Sequence, residues 1–242
     1  LGCAFSATLI YFCRSPQQVS CDDILSNKSF PRPPLLDTNS DILHQFALNS
    51  LKIANVIFTI LSASLQLSSS QLLEDFHRPG IPAPHVIRLL RYAASTDTCQ
   101  EFSVPQPPHT DLGSLTILFA NSPGLQIKPD GCDDWLYVKP KKDHAIVNFG
   151  DAMSIWTGGF FRSVLHRVAS LPGAGMAERY SFAFLMRPEN QAPMASFVGD
   201  AVPAEKENTL TCEDWIKAKF GILRGYDNKD RNGILTGRTS NV

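Results

Sequence analysis

Pro108-His109-Thr110-Asp111-Leu112-Gly113 and the later run Arg162-Ser163-Val164-Leu165-His166-Arg167-Val168 decide how this chain is read. Side chains on an extended strand alternate faces, so His109 and Asp111, two residues apart, are expected to project to the same side. The later run alternates as well, with Val164, His166 and Val168 on one face. Two imidazoles and one carboxylate take one face of an octahedral metal and leave the opposite positions open, a set that suits non-haem Fe(II) working with O2. A lone H-x-D is a weak motif, more often an exposed histidine beside an aspartate cap. The surrounding sequence has to raise it above that.

The 242 residues suffice for one large domain, or one domain with a helical flank. A net charge of −1 leaves no electrostatic footprint for nucleic acid. No run of like charges points to a membrane surface or an acidic partner. The cysteines at 3, 13, 21, 99, 132 and 212 are scattered and form no C-x-x-C pair, which predicts reduced thiols in a cytoplasmic protein. Leu1 to Cys13 is apolar but lacks a basic flank and is too short to span a bilayer, so a buried strand or helix is expected there, with a signal peptide as the alternative. Ile53 to Leu67 is interrupted by Asn55, Ser62, Ser64 and Gln66, and reads as a core helix, not a membrane span.

Pro16, Pro31, Pro33 and Pro34 make residues 14–40 an irregular, mostly extended connection. Ser40-Asp41 can cap a helix that continues, on the spacing of Phe46, Ile53, Ile57, Ile60, Leu61 and Leu65, to about residue 66. Ser68 and Gln71 have capping-box spacing and predict a second short helix carrying Leu72, Leu73 and Phe76, stopped by Pro79-Gly80. From residue 85 the texture turns to short strands, over 85–92, 115–120, 124–128, 135–140, 144–149, 163–170 and 179–186. Gly, Pro, Asn and Asp separate them, the pattern of a sandwich or barrel. Thr211-Cys212-Glu213-Asp214 opens a last helix to about Gly225, followed by a polar tail. The layout divides into an N-terminal flank with helices (1–84), a β core (85–190) and a C-terminal helix and tail (191–242).

In the last strand, Arg179 and Ser181 share a face with Ala183 and Leu185, while Tyr180, Phe182, Phe184 and Met186 take the other. A guanidinium inside an apolar β-core needs an anionic partner. No carboxylate pairs with Arg179 by sequence. A bound carboxylate would satisfy it through a two-pronged contact, and the Ser181 hydroxyl could add a hydrogen bond. The competing reading is an edge strand with Arg179 in solvent.

Taken in order, several stretches resemble the isopenicillin N synthase-like family of Fe(II)/2-oxoglutarate-dependent dioxygenases. They are His109-Thr110-Asp111, Gly124-Leu125-Gln126-Ile127, Trp135 with Val138 and Pro140, Val147-Asn148-Phe149-Gly150-Asp151, Thr157-Gly158-Gly159, Ser163 to Val168 and Arg179-Tyr180-Ser181. The likeness covers roughly residues 40–225. It implies a mainly β fold with flanking helices, built on a double-stranded β-helix (jelly-roll) core. It implies that His109, Asp111 and His166 hold Fe(II), and that Arg179 and Ser181 bind the distal carboxylate of 2-oxoglutarate. Tyr92 matches the family's tyrosine that contacts the cosubstrate. Leu90 stands where the family often has Asn, and Leu112 where it often has an aromatic residue.

The resemblance implies an oxidoreductase that uses O2 and 2-oxoglutarate to hydroxylate, desaturate or cyclise a small organic metabolite. The Trp215-Ile216-Lys217 helix is similar to a fungal branch acting in secondary metabolism. Two alternatives stand beside it: an iron oxidase that does not use 2-oxoglutarate, and a non-catalytic or partner-dependent subunit. The second draws on the short segment before the first long helix, and a homo- or hetero-dimer would fit it. A zinc hydrolase would need a general-base glutamate in an H-E-x-x-H pattern, which is missing. No nucleic-acid or membrane partner is expected. His44, His77, His85 and His144 are read as structural or surface residues. Asp151 is read as a turn residue, and Asn148 and Trp156 as candidates to face the cavity.

Overall fold

The alternation read in residues 179–186 builds the centre of the larger of two antiparallel sheets. The computed structural model describes residues 18–25, 34–94, 106–171, 175–198 and 209–223. Strand β9 (Arg179–Met186) lies between β2 (Val86–Tyr92) and β4 (Leu115–Ala120), with β1 (Gln18–Ser20) beyond β2 and β7 (Ile146–Phe149) beyond β4. The smaller sheet runs β3 (Gln106–His109), β8 (Leu165–Val168), β5 (Leu125–Lys128) and β6 (Leu136–Tyr137). The two sheets enclose a cavity lined from both, and the double-stranded β-helix expected from sequence is borne out.

One face of β9 looks into that cavity and the other meets α3 (Ser40–Ser64). Phe46 of α3 packs on Phe182 and Phe184, with ring centroids 4.1 and 6.3 Å apart. The buried row of α3, Leu43, Ala47, Ser50, Ala54, Phe58 and Ser62, repeats every three or four residues, as one face of a helix must. By length and composition α3 could cross a bilayer. Here its buried row is seated in the core around Phe184, Trp156 and Trp215.

Several local expectations need correction. Residues 14–40 are not one irregular connection: β1 pairs with β2, and α1 (Cys21–Leu25) and α2 (Pro34–Thr38) follow. Pro34 opens α2, where the missing N–H is an orphan of the helix start in any case. Leu1 to Cys13 lies outside the described residues. The Ser68–Gln71 pair makes a turn, with Ser68 Oγ on Gln71 Oε1 at 2.7 Å, and caps nothing. The helix expected after it is a single 3-10 turn, Leu73–Phe76. Its first amide, from Leu73, donates to Ser62 Oγ of α3 at 2.9 Å, so the cap comes from a neighbouring helix.

Asp151 does not end in a turn. It begins the short helix α4 (Asp151–Trp156) and is fully buried. The last helix, α5 (Cys212–Leu223), has the predicted box: Thr211 Oγ1 accepts from the Asp214 amide at 3.2 Å and donates to Asp214 Oδ2 at 3.0 Å.

Candidate metal and carboxylate site

Strand β3 ends at His109, which stands opposite His166 of β8 in the register of the smaller sheet. Asp111 lies just past the strand end, two residues beyond His109, and the chain bends after it, at 112–114. One ligand atom from each of His109, Asp111 and His166 falls within 4.8 Å of the other two. Asp111 Oδ1 is 3.8 Å from His166 Nε2.

Neighbouring groups fix how each donor is presented. His109 Nδ1 lies 2.9 Å from the Pro107 carbonyl, and His166 Nδ1 lies 3.0 Å from the Val164 carbonyl. A carbonyl only accepts, so each Nδ1 is the donor, which leaves Nε2 as the ring nitrogen available to a metal. Asp111 Oδ2 accepts from Thr116 Oγ1 at 2.7 Å and from Asn148 Nδ2 at 2.8 Å, which leaves Oδ1 toward the histidines. Burial alone would raise the Asp111 carboxyl, but His166, Asn148 and Thr116 outweigh it and hold it below the usual range. Burial, and then His166, lower His109, which favours the neutral imidazole. Two imidazoles and a carboxylate fit a divalent first-row metal.

The second cluster sits on the larger sheet. β9 is central, so Arg179 is not on an edge in solvent; it is 1 % exposed. Its Nε and Nη1 are buried without a hydrogen-bond partner among the described residues. Its guanidinium carbon lies 5.2 Å from the centre of the Tyr92 ring, the residue opposite it on β2. Gly124 makes room for it: a Cβ there would lie 3.3 Å from Arg179 Cδ. Unpartnered guanidinium nitrogens beside the Ser181 hydroxyl are what a bound carboxylate would satisfy.

All six residues singled out from sequence, His109, Asp111, His166, Arg179, Ser181 and Tyr92, line the one cavity between the sheets. Much of the remaining lining is apolar, including Leu118, Ile127, Ile146, Val168 and Leu185. Asn148 faces it as expected, but Trp156 does not; its Nε1 donates to the Pro193 carbonyl at 2.8 Å within the core. Thr116 and Arg88 line the cavity and were not singled out from sequence. The signal for Arg88 was available, since it shares a face of β2 with Leu90 and Tyr92 by the period of two. His77 and His85 are buried in the fold, and they stand outside the cavity, as do His44 and His144.

A family profile for the 2OG-Fe(II) oxygenase superfamily matches residues 84–188. The chain is 32% identical over 209 residues to the 2-oxoglutarate-dependent dioxygenase iboH of Amanita muscaria, covering 85% of this chain and 96% of that protein. It is 28% identical over 221 residues to the 2-oxoglutarate-dependent dioxygenase frbH of Dothideomycetidae sp., covering 91% of this chain and 65% of that one. Among solved structures it resembles a full-length Neurospora crassa protein crystallised in complex with alpha-KG, with a TM-score of 0.67 at 19% identity, covering 84% of this chain and 64% of that one. The chain thus spans less than two thirds of two of these relatives and nearly all of the third.

Proposed function

Because the chain belongs to the 2OG-Fe(II) oxygenase superfamily, we propose that it is an Fe(II)/2-oxoglutarate-dependent dioxygenase that oxidises a small organic metabolite, in secondary metabolism. One observation carries the reading. A three-residue metal group and a buried guanidinium with unpartnered nitrogens open into the same cavity from facing sheets.

In this reading His109, Asp111 and His166 hold Fe(II), while Arg179 and Ser181 hold the distal carboxylate of 2-oxoglutarate, with Tyr92 beside it. Bound iron supplies the O2 chemistry that couples oxidation of the cosubstrate to oxidation of the substrate. The protein's residues do the rest. The Pro107 and Val164 carbonyls fix both imidazole tautomers, and Thr116 and Asn148 fix the carboxylate. Arg179 supplies a fixed charge whose orientation is set before the cosubstrate arrives, so little reorganisation is needed on binding. Leu118, Ile127, Ile146, Val168 and Leu185 exclude water from the space between the sites. With both clusters intact, a non-catalytic subunit is not favoured, and an oxidase without 2-oxoglutarate would leave Arg179 unanswered.

The test is succinate formation by the purified protein with Fe(II), 2-oxoglutarate and O2, scored against a panel of small organic acids, amides and heterocycles. Substrate-stimulated succinate is expected, and it should vanish in His109→Ala and Asp111→Ala. Equal succinate in the triad variants, or substrate oxidation without succinate, would refute the assignment.

A further inference from the structure

The Asp151 carboxylate is 0 % exposed and stands outside the metal group, yet it touches the segment that carries two of its ligands. Asp151 Oδ2 accepts from Thr110 Oγ1, the residue between His109 and Asp111, at 3.1 Å. The Asp151 amide donates to the Asp111 carbonyl at 2.8 Å, and the Ala152 amide to the Gly113 carbonyl at 3.1 Å. The same carboxylate oxygen pairs with Lys219 of α5, whose side chain is 11% exposed. Asp151 Oδ1 is buried with no hydrogen-bond partner among the described residues.

The other side of the segment is fixed to the sheet. The Ser114 amide donates to the Met186 carbonyl at the end of β9, at 2.9 Å. A Cβ at Gly113 would come within 1.9 Å of that carbonyl oxygen, so the backbone there sits hard against β9. Residues 110–114 are therefore held between β9 and the start of α4. Asp151 is the point where side chain and backbone hold them together, and Lys219 compensates its charge from a helix remote in sequence.

We propose that Asp151, anchored by Lys219, is a positioning residue for the metal site, and that α5 is thereby part of the metal-binding apparatus. The pair sets the height of the segment after β3 so that Asp111 meets the two histidines. This rests on the metal assignment above. Within it, Asp151 Oδ2 is directed at Thr110 and Lys219, away from the metal group.

Mn(II) binding by the whole chain tests it, in Thr110→Val, Asp151→Asn, Lys219→Met and the charge-balanced pair Asp151→Asn/Lys219→Met. Thr110→Val cuts the link to the ligand segment, keeps the shape and leaves the ion pair intact. It should weaken Mn(II) binding about tenfold, in the range for residues that orient ligands, with the melting temperature nearly unchanged. In turnover its kcat should fall while KM for 2-oxoglutarate holds. The paired variant should regain melting temperature lost by either single change without regaining Mn(II) affinity. Unaltered Mn(II) affinity in Thr110→Val, or affinity that recovers with stability in the paired variant, overturns the proposal. If the single charge variants fail to fold, Thr110→Val decides alone. Failure of the unmodified protein to bind Mn(II) would overturn the functional reading and this one with it, whereas tight binding in every variant overturns only this one.

Discussion

Asn148 on β7 donates its side-chain amide to Asp111 Oδ2 at 2.8 Å, the oxygen that also accepts from Thr116. The larger sheet thus orients a carboxylate that meets histidines carried by the smaller one. Asn148 and Thr116 are neighbours in the β4–β7 register, so the clamp is a cross-strand pair. Asn148→Ala or Thr116→Val should free Asp111 to rotate and cost about 10- to 100-fold in metal affinity. Titration with Mn(II) or Co(II) measures it. Binding as tight as in the unmodified protein would show that the backbone after β3 orients Asp111 without help.

Arg179→Ala removes its guanidinium from the cavity while leaving all three metal donors in place. A carboxylate left without its partner in a buried site loses roughly 2–5 kcal/mol, which is about 30-fold to several thousand-fold in affinity. The expected result is weak 2-oxoglutarate binding with near-normal metal binding, read by calorimetry with each ligand. Arg179→Lys should recover only part of the loss, because an ammonium lacks the two-pronged geometry. Unchanged 2-oxoglutarate affinity in Arg179→Ala would remove Arg179 from the site.

The sheet core was legible in the sequence where alternation was strong. The inward row Arg179, Ser181, Ala183 and Leu185 and the outward row carrying Phe182 and Phe184 fall as the period of two requires. Val164, His166 and Val168 share the cavity for the same reason. The end of β3 at His109 was not legible, because an H-x-D reads the same whether or not the strand continues through it. Nor was α4. Its six residues are too few to show a helical period, and its start is fixed by long-range contacts, including the ion pair to Lys219. The capping-box spacing at Ser68 misled because the 3-10 turn takes its cap from Ser62 on α3.

Gly150 precedes α4 where two backbone segments cross. A Cβ there would lie 2.2 Å from the Gly113 carbonyl oxygen and 2.8 Å from that of Asp111, and neither oxygen can swing away as a flexible side chain would. Gly150→Ala should therefore cost about 1–3 kcal/mol through overpacking, a fall of roughly 2–12 °C in melting temperature for a chain of this size. It should also weaken metal binding, since the displaced backbone carries Asp111. A melting curve and Mn(II) titration that both match the unmodified protein would show that the segment shifts without cost.

The last prediction concerns pH and two histidines that bind no metal. His77 and His85 are 5 % exposed each. Burial pushes His77 down to about 4 and His85 down to about 3. His85 Nδ1 accepts the Arg187 backbone amide at 3.1 Å, a contact that protonation of that nitrogen would abolish. In the unfolded chain both should titrate near 6.5. Above that value neither state is protonated and the pair contributes nothing to the pH dependence. As pH falls through 6.5 the unfolded chain takes up protons that the folded protein refuses, so stability declines, and the decline continues until the folded values are reached. Each site contributes a slope of roughly 1.4 kcal/mol per pH unit within that window. Asp111 is shifted in the same direction, with a folded value below its unfolded one, but its stabilising share is lost only as pH falls below about 4. Between pH 6 and 4.5 the histidines should therefore dominate. Denaturant melts at fixed temperature should show stability level from pH 8 to 7 and falling steadily from 6.5 to 5. His85→Gln, which can still accept the Arg187 amide, should make that fall shallower. A flat profile down to pH 5, or the same steepness in His85→Gln, would show that these imidazoles are not held neutral by the fold.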